Sequence, residues 1–398
     1  MASNPFTPTF GVVPAFMAGR EDITSELLAA LEEGVGNPNL TTIISGARGT
    51  GKTALLTYLS DAAQAQGWVS VNVSALPGML EEIVQQAHAA SAHLIDTSTS
   101  AKLASLKLGD IAEVQFSDSL EAAPTWRIRM GELLDALAET DTGLLITVDE
   151  VRDDLDEMIQ LASAFQHFVR ERRKVALFMA GLPAHVSALL QDKSVSFLRR
   201  ANFYNIGIVS DFEVEEALGK TFNEGGREAT PEALKEAVQL IGGFPYMMQL
   251  VGYRAWNASP DSPLISEDDV LEGSRFARND LQRKVFDTTF RELSKGDVRF
   301  LVAMLEDDGP SELADVARRL GKRSNYASQY KRRLQEQGIV GLIGDHLKKA
   351  FRERCPEVQL TLIEMPDDNC ESFIRQGRYH CGLLVSSAGG RSGSPCPA

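Results

Sequence analysis

Residues 46–53 read Gly46-Ala47-Arg48-Gly49-Thr50-Gly51-Lys52-Thr53 and fit the pattern G-x-x-x-x-G-K-[ST]. An apolar run, Thr41–Ser45, precedes them and an amphipathic segment follows, which is the strand–loop–helix context that this pattern requires. Glycines let backbone amides turn inward around a phosphate, and a helix N-terminus adds partial positive charge. We expect a phosphate-binding loop (P-loop) that contacts ATP through Gly46, Gly49, Thr50, Gly51, Lys52 and Thr53. Lys52 would reach the β- and γ-phosphates and the Thr53 hydroxyl would bind Mg²⁺. The alternative is a chance match in a glycine-rich turn.

Two carboxylates follow a second apolar run. Leu144–Val148 is a predicted buried strand, and Asp149 and Glu150 come directly after it. Nucleotides bind at the carboxyl ends of parallel strands in open α/β sheets, so both side chains would lie at that edge. Asp149 is expected to hold Mg²⁺ through water, and Glu150 to polarise the attacking water as the catalytic base. A helix cap or a solvated turn is the alternative for either residue.

The chain alternates strand-like and helical segments through its first half. Five apolar runs predict buried strands: Thr41–Ser45, Trp68–Ser74, Leu144–Val148, Lys174–Met179 and Phe203–Val209. Helical stretches between them indicate an α/β fold with a parallel sheet covered on both faces. Residues 100–125 lack periodicity and are interpreted as an insertion or mobile loop. From 211 to about 283 the pattern is helical, with helix caps expected at Asp211 and Thr230.

Two further motifs carry a resemblance to a known family. Phe16-Met17-Ala18-Gly19-Arg20-Glu21 and Gly243-Phe244-Pro245 resemble motifs of AAA+ ATPases of the origin-recognition-like and STAND-type group. The resemblance spans residues 14–257. It implies a P-loop sheet of AAA+ type followed by a helical lid, with Arg20 near the adenine and Pro245 against the nucleotide. An ordinary helix start and an ordinary helix break are the alternatives for these two motifs.

The sequence departs from that family at two positions. The fourth strand runs into Ala180-Gly181-Leu182-Pro183, where many AAA+ proteins carry a polar sensor residue, and the Pro245 motif occupies the region of the usual lid arginine. Both departures favour slow hydrolysis or a nucleotide-controlled switch. Arg199 and Arg200 stand where related ATPases place an arginine finger, and a solvated helix end is the alternative for them.

A basic segment lies in the third part of the chain, residues 294–340. Helices are expected over Val298–Leu305, Ser311–Leu320 and from Ser324 to Gln335, with a tight turn at Gly321. This is helix-turn-helix spacing, and the unit resembles the winged-helix domain of origin-recognition-like proteins. From Arg318 to Arg333 there are seven Lys/Arg and no Asp/Glu. In duplex DNA binding, base edges would be read by Asn325, Ser328 and Gln329, and phosphates would be bound by Arg332 and Arg333. The alternative is a basic helix used for packing or protein contact.

The last part of the chain differs from the rest. Residues 347–385 resemble the opening of a LysR-type effector-binding domain, and all four cysteines lie between Cys355 and Cys396. Too little chain remains to close such a domain, so we expect a fusion, rearrangement or frame error, or else a short extension. The predicted domains are a P-loop ATPase core (1–210), a helical lid (211–290), a winged-helix-like unit (291–344), and the truncated fragment with its tail (345–398).

Composition limits the functional classes. A formal net charge of −15 argues against non-specific coating of nucleic acid, so DNA contact needs a local basic patch. The sequence has no membrane-spanning run and no secretory signal, which predicts a cytoplasmic protein without a membrane partner. The leading hypothesis is an ATP-binding switch or slow ATPase that couples ATP and ADP states to duplex DNA, a protein partner or a homo-oligomer. A non-catalytic signalling scaffold and a transcriptional regulator are the alternatives.

Overall fold

The computed structural model describes residues 3–9, 11–92, 94, 125–281, 283–284, 293–304 and 311–336. The predicted insertion, apart from Thr125, and the predicted fragment at 345–398 lie outside these residues. The chain divides into two compact units, Met1–Ala277 and Arg278–Ala398. The predicted boundary between core and lid, at 210 and 211, falls inside the first unit.

The first unit contains the predicted parallel sheet. Its strands are β1 (Thr41–Ser45), β2 (Val69–Ser74), β3 (Leu144–Asp149), β4 (Val175–Gly181) and β5 (Asn202–Asn205). Their spatial order is β2-β3-β4-β1-β5, and every pairing is parallel. The α/β prediction is therefore confirmed.

The end of β5 differs from the prediction of a strand over Phe203–Val209. The strand stops at Asn205, and Ile206 donates one further backbone hydrogen bond to Ser45 O (2.7 Å). Beyond that point the chain leaves the sheet, because Val209 N donates instead to Gly243 O (2.8 Å) in the lid. The apolar residues that follow Ile206 in this run therefore belong to the linker that leads to the lid, not to the sheet.

Helices cover both faces of the sheet: α1 (Glu21–Glu33), α2 (Lys52–Ala65), α3 (Met79–Ser91), α4 (Trp126–Ala138), α5 (Asp156–Arg170) and α6 (Pro183–Gln191). Alternate strand residues enter opposite cores, as the pleat requires. Ile146 and Leu177 lie in the core formed with α3 to α6, whereas Leu145 and Phe178 lie in the core formed with α1 and α2. Full burial of each such side chain contributes about 1.5–3 kcal/mol, and it fixes the register that places the strand ends at the P-loop.

The region predicted as a lid, and called the lid below, contains α7 (Asp211–Glu224), β6 (Glu228–Ala229), α8 (Pro231–Ile241), α9 (Pro245–Ala258), β7 (Leu264–Ile265) and α10 (Glu267–Leu281). The predicted cap of α7 at Asp211 is wrong by one residue. The hydroxyl of Ser210 accepts from Glu213 N, and the Glu213 carboxylate accepts from Ser210 N, which is a reciprocal capping box. The predicted cap of α8 at Thr230 is confirmed.

In the second unit the described residues form α11 (Lys295–Met304), α12 (Leu313–Arg319) and α13 (Ser324–Glu336). Gly321, at φ +62°, turns the chain between α12 and α13, so the predicted tight turn between two helices is present. Buried side chains from all three helices form its interior: Phe300, Leu301, Met304, Val316, Ala327 and Leu334. The predicted wing lies outside the described residues. Across the described ranges of both units, no helix is long and apolar enough to cross a bilayer.

Candidate nucleotide-binding site

The P-loop connects β1 to α2, as predicted. Gly51 is the N-cap of α2 and has φ +89°, a left-handed conformation that only glycine adopts without strain. The hydroxyl of Thr50 donates to Ala47 O (2.9 Å) and closes the loop from inside. The backbone amides at the start of α2 therefore face the concave side of a tight loop, where a phosphate can be bound.

Lys52 is folded back into this loop. Its Nζ donates to Gly46 O (2.9 Å) and Ala47 O (2.8 Å). Burial lowers the pKa of Lys52 to about 8, with the neighbouring Arg48 acting in the same direction and the carboxylates of Asp149 and Glu150 opposing it. The charge of the Lys52 ammonium is thus not fully compensated by its neighbours, and an anionic ligand would stabilise the charged form.

Thr53 and Asp149 are brought together by the parallel register. Thr53 Oγ1 donates to Asp149 Oδ2 (2.5 Å), and Asp149 Oδ1 accepts from Glu150 N (2.8 Å). A hydroxyl and a carboxylate are the hard oxygen ligands that Mg²⁺ takes when it shares its coordination with phosphate and water. The described residues contain no group of three or more His, Cys, Asp or Glu arranged to hold a metal alone. The pair fits Mg²⁺ bound jointly with a nucleotide, not a closed protein cage.

Glu150 lies at the carboxyl end of β3 with an exposed side chain. Its φ of +53° is unusual for a residue with a Cβ, and such a conformation costs on the order of 1 kcal/mol. Val151 N donates to Ala180 O (2.9 Å), which ties the next residue to β4 and fixes the turn. Strained backbone held by its surroundings is common at functional sites, which favours a functional role for this position.

Arg20 is buried beside the P-loop. Its guanidinium donates to Gly207 O (2.6 Å), Gly19 O (2.9 Å) and, at the limit of a hydrogen bond, Thr50 O (3.4 Å). Burial lowers the pKa of Arg20, although Glu213 and Glu21 oppose that change. The side chain therefore fastens the P-loop to the linker that leads to the lid. Its direct contact with a nucleotide stays a prediction.

The lid motif lies against the P-loop. Tyr246 N, at the start of α9, donates to Gly49 O (3.2 Å), so Pro245 lies next to the phosphate loop. The lid motif predicts Pro245 at the nucleotide, but it gives no sign of the contacts that its neighbours Phe244 and Tyr246 make with Gly49. Phe244 belongs to the quoted motif, so its position was visible in the sequence while its partner, 195 residues away, was not.

The turn after β4, where a sensor residue is usual, and the two predicted finger residues, Arg199 and Arg200, have different surroundings. β4 ends at Gly181 and α6 begins at Pro183, so the turn carries no polar side chain, as the sequence indicated. Arg199 donates to Leu190 O (2.7 Å) and Gln191 O (3.4 Å), which caps the C-terminus of α6. Arg200 is exposed, and within the described ranges it forms no hydrogen bond or ion pair. Of the two predicted finger residues, only Arg199 forms such bonds, and they hold the end of α6, the helix that precedes it in the chain.

The predicted DNA-contacting residues lie on α13 with unequal surroundings. Asn325, Gln329 and Arg332 are exposed, and Ser328 is exposed while its hydroxyl donates to Ser324 O (3.0 Å). Arg333 instead forms an ion pair with the buried Asp297, to which its Nε donates (2.8 Å), and donates to Ser294 Oγ (2.9 Å). A phosphate contact by Arg333 would compete with these bonds. Asp297 was not predicted from sequence.

Comparisons with known proteins agree with the α/β fold. Residues 17–180 match the AAA ATPase domain family, and residues 283–343 match a domain of unknown function, DUF8462. The Walker-type ATPase PABY2304 of Pyrococcus abyssi is 15% identical, with 81% of this chain and 90% of that chain covered, at a TM-score of 0.54. The ORC2 protein of Aeropyrum pernix, in its ADPNP–ADP complexes, is 14% identical, with 93% and 96% covered, at a TM-score of 0.56. At these identities the structures show a shared fold alone. No curated protein sequence matches the chain at a significant level. Residues 17–180 of this chain therefore form an AAA ATPase domain.

Proposed function

We propose that the chain binds ATP with Mg²⁺ at residues 46–53, hydrolyses it slowly, and acts as a nucleotide-controlled switch. One observation carries this proposal: the Thr53 hydroxyl and the Asp149 carboxylate form a hydrogen-bonded pair near the half-buried ammonium of Lys52. These are the oxygen ligands and the counter-charge that a Mg²⁺-nucleotide needs, on an AAA ATPase domain.

Each residue has a distinct role in this proposal. Lys52 would exchange the carbonyls of Gly46 and Ala47 for phosphate oxygens, which restores its full charge. Thr53 and Asp149 would hold Mg²⁺, which neutralises the charge that develops on the phosphates. Glu150 would accept a proton from the attacking water.

Slow turnover is supported by the surroundings of these groups. The β4–α6 turn offers no polar side chain that could orient the water or the γ-phosphate. Arg200, exposed and without an internal bond, is the better candidate for a finger given to a second copy of the chain, so a homo-oligomer belongs to the proposal.

Glu150→Gln tests the catalytic assignment. Glutamine keeps the shape of the side chain and loses its ability to accept a proton. ATP should stay bound with near wild-type affinity, while release of phosphate should fall by at least about a hundredfold, the range of general-base effects. Wild-type turnover in this variant would remove Glu150 from the mechanism. Binding by the wild type with no turnover under any condition would favour the non-catalytic scaffold.

A second function, contact with duplex DNA, is supported by the exposed face of α13. Arg332 on α13, and Lys322 and Arg323 in the turn before it, are exposed and basic, whereas Asn325 and Gln329 offer amides that could pair with base edges. The opposite face packs inside the unit, since Tyr330 stacks on Phe300 of α11 (ring centroids 6.3 Å apart). A helix with one face packed and a basic, amide-bearing face exposed has the arrangement of a recognition helix.

Fluorescence anisotropy with labelled duplexes tests this second function in the full chain, with ATP, with ADP and without nucleotide. Affinity should fall steeply as salt rises, because phosphate contacts release counterions. Arg332→Ala should weaken binding to all sequences, and Gln329→Ala should alter the preference between sequences. Arg299→Ala is the matched control, because Arg299 is exposed on α11. Arg333 is unsuitable, because its loss would leave Asp297 unpaired.

The results also separate the alternatives. No DNA binding at low salt in any nucleotide state would favour the signalling scaffold, with α13 as a docking face for an acidic protein. DNA binding that does not change with nucleotide would favour a transcriptional regulator. The domain division at 210, 290 and 344 is likewise a proposal, tested by limited proteolysis at these boundaries.

A further inference from the structure

The aromatic residue of the lid motif touches the P-loop itself. Phe244 is 1% exposed, and a Cβ added to Gly49 would lie 2.5 Å from its Cζ and 3.1 Å from its Cε2. The tip of the ring therefore occupies the space that any side chain at position 49 would need. Gly49 also has φ +80°, so both its backbone and its surroundings require glycine.

A backbone hydrogen bond accompanies the ring contact. Tyr246 N donates to Gly49 O (3.2 Å), so this carbonyl points toward the start of α9. In a trans peptide the carbonyl and the following N–H point in opposite directions. The amide of Thr50 is therefore directed away from the start of α9, and under the proposed nucleotide binding it would face the phosphate. The orientation of a phosphate-binding amide thus depends on a contact with the lid.

The lid loop is held firmly enough to impose that orientation. Gly243 O accepts from Val209 N (2.8 Å), and a Cβ at Gly243 would lie 2.4 Å from Val209 O. Phe244 N donates to Ile241 O (3.2 Å), which closes the turn between α8 and α9. The loop is packed against the linker on one side and the P-loop on the other, so it cannot move without releasing Gly49.

We propose that Phe244 is a positioning residue for the P-loop, and that docking of the lid on Gly49 and retention of the nucleotide are one equilibrium. When Phe244 leaves Gly49, the Gly49 carbonyl loses its donor and the Thr50 amide loses its fixed direction. Nucleotide release is then governed by the lid through the protein loop, in addition to any direct contact between lid and nucleotide. This inference rests on the proposed nucleotide binding.

Stopped-flow release of mant-ADP from the full chain, chased with excess ADP and Mg²⁺, tests the proposal. Phe244→Ala should release mant-ADP on the order of tenfold faster than the wild type, within the range of coupling between contacting residues. Phe244→Leu, which keeps part of the contact, should fall between them and serves if the alanine variant does not fold. Phe222→Leu is the matched control, because Phe222 is 1% exposed inside the lid and packs on Phe6 and Trp256, not on Gly49. It should lower thermal stability and leave the release rate unchanged.

A double-mutant cycle separates positioning from a general effect on the lid. Gly49→Ala alone should weaken mant-ADP binding strongly, because its methyl group collides with the Phe244 ring. In Gly49→Ala/Phe244→Ala the collision is gone, so binding should recover in part, with a coupling of roughly threefold to a hundredfold. The backbone strain at φ +80° remains and limits the recovery.

Three results would overturn the inference. They are additive losses in the cycle, equal release rates in the Phe244→Ala and wild-type proteins, or faster release in Phe222→Leu to the same extent. In each of these, mant-ADP still binds to the wild type, so the proposed nucleotide site survives. If the wild type does not bind mant-ADP at all while it is folded, both the proposed function and this inference fail.

Discussion

Raising the pH from 7.5 to 9.5 should weaken ADP binding through Lys52. Burial among the loop carbonyls lowers its pKa to about 8 from 10.5, and this difference corresponds to about 3 kcal/mol of disfavoured charge. A bound phosphate would compensate the burial and return the pKa toward its ordinary value. The nucleotide-bound protein then holds more protons than the free protein above pH 8, so affinity falls as pH rises. If the bound pKa is near 10.5, the dissociation constant rises about twentyfold between pH 7.5 and 9.5.

Isothermal titration calorimetry with ADP and Mg²⁺ across this range measures the effect. The terminal phosphate is ionised throughout, since its pKa lies near 6. Buffers of different ionisation enthalpy should report uptake of close to one proton per ADP at pH 9.5. Lys52→Arg is the control, because a guanidinium stays charged over the whole range. The affinity of Lys52→Arg for ADP should be lower than that of the wild type, but it should not change between pH 7.5 and 9.5.

The reasoning is refuted by two outcomes. If the wild-type affinity for ADP does not change between pH 7.5 and 9.5, Lys52 is either charged in the free protein over this range or does not contact phosphate. An equal slope in Lys52→Arg would assign the dependence to another group.

Three other changes test contacts beside the site, in the second unit and in the N-terminal segment. Arg20→Ala should lower the free energy of unfolding by on the order of 2 kcal/mol, because buried carbonyls lose their donor, and the thermal midpoint should fall with it. Arg20→Lys should recover only part of this stability, because an ammonium cannot replace the several donors of a guanidinium. Arg333→Ala should destabilise the second unit by on the order of 3 kcal/mol, since Asp297 would be a buried charge without a counter-ion. The double variant Arg333→Ala/Asp297→Asn should regain much of that stability, as measured by urea unfolding. Thr7→Val should leave stability unchanged or raise it by up to about 1 kcal/mol, because the Thr7 hydroxyl is buried without a partner in the described residues; a clear loss would mean that the hydroxyl is hydrogen-bonded in solution.

The sheet and the P-loop could be predicted because their local patterns are strong. Buried parallel strands read as apolar runs, and β1 to β4 agree with their predicted bounds within two residues. β5 could not be bounded in this way, since the run at Phe203–Val209 remains apolar after the strand ends. Val209 is buried against the lid rather than in the sheet. An apolar run indicates that its residues are buried, but it does not indicate which element of the fold buries them.

Contacts between distant residues were the part that sequence could not supply. The charge of Arg333 was visible, but its partner Asp297 lies 36 residues away on another helix. The cap at Ser210 was readable, because Ser210 and Glu213 have the S-x-x-E spacing of a capping box. The Phe244 contact with Gly49 had no sequence signature beyond the presence of the two residues. The residues of the candidate site could therefore be located from the sequence, whereas their connection to the lid could not.

Calorimetric titration of the full chain with ATP and Mg²⁺, for the wild type and for Lys52→Ala, tests the central claim most directly. The wild type is expected to bind ATP at one site per chain, and Lys52→Ala to lose that binding while it remains folded, because the phosphates lose their main counter-charge. Equal affinity in the two proteins, or no binding by a folded wild type, would contradict the assignment of residues 46–53 as the ATP site.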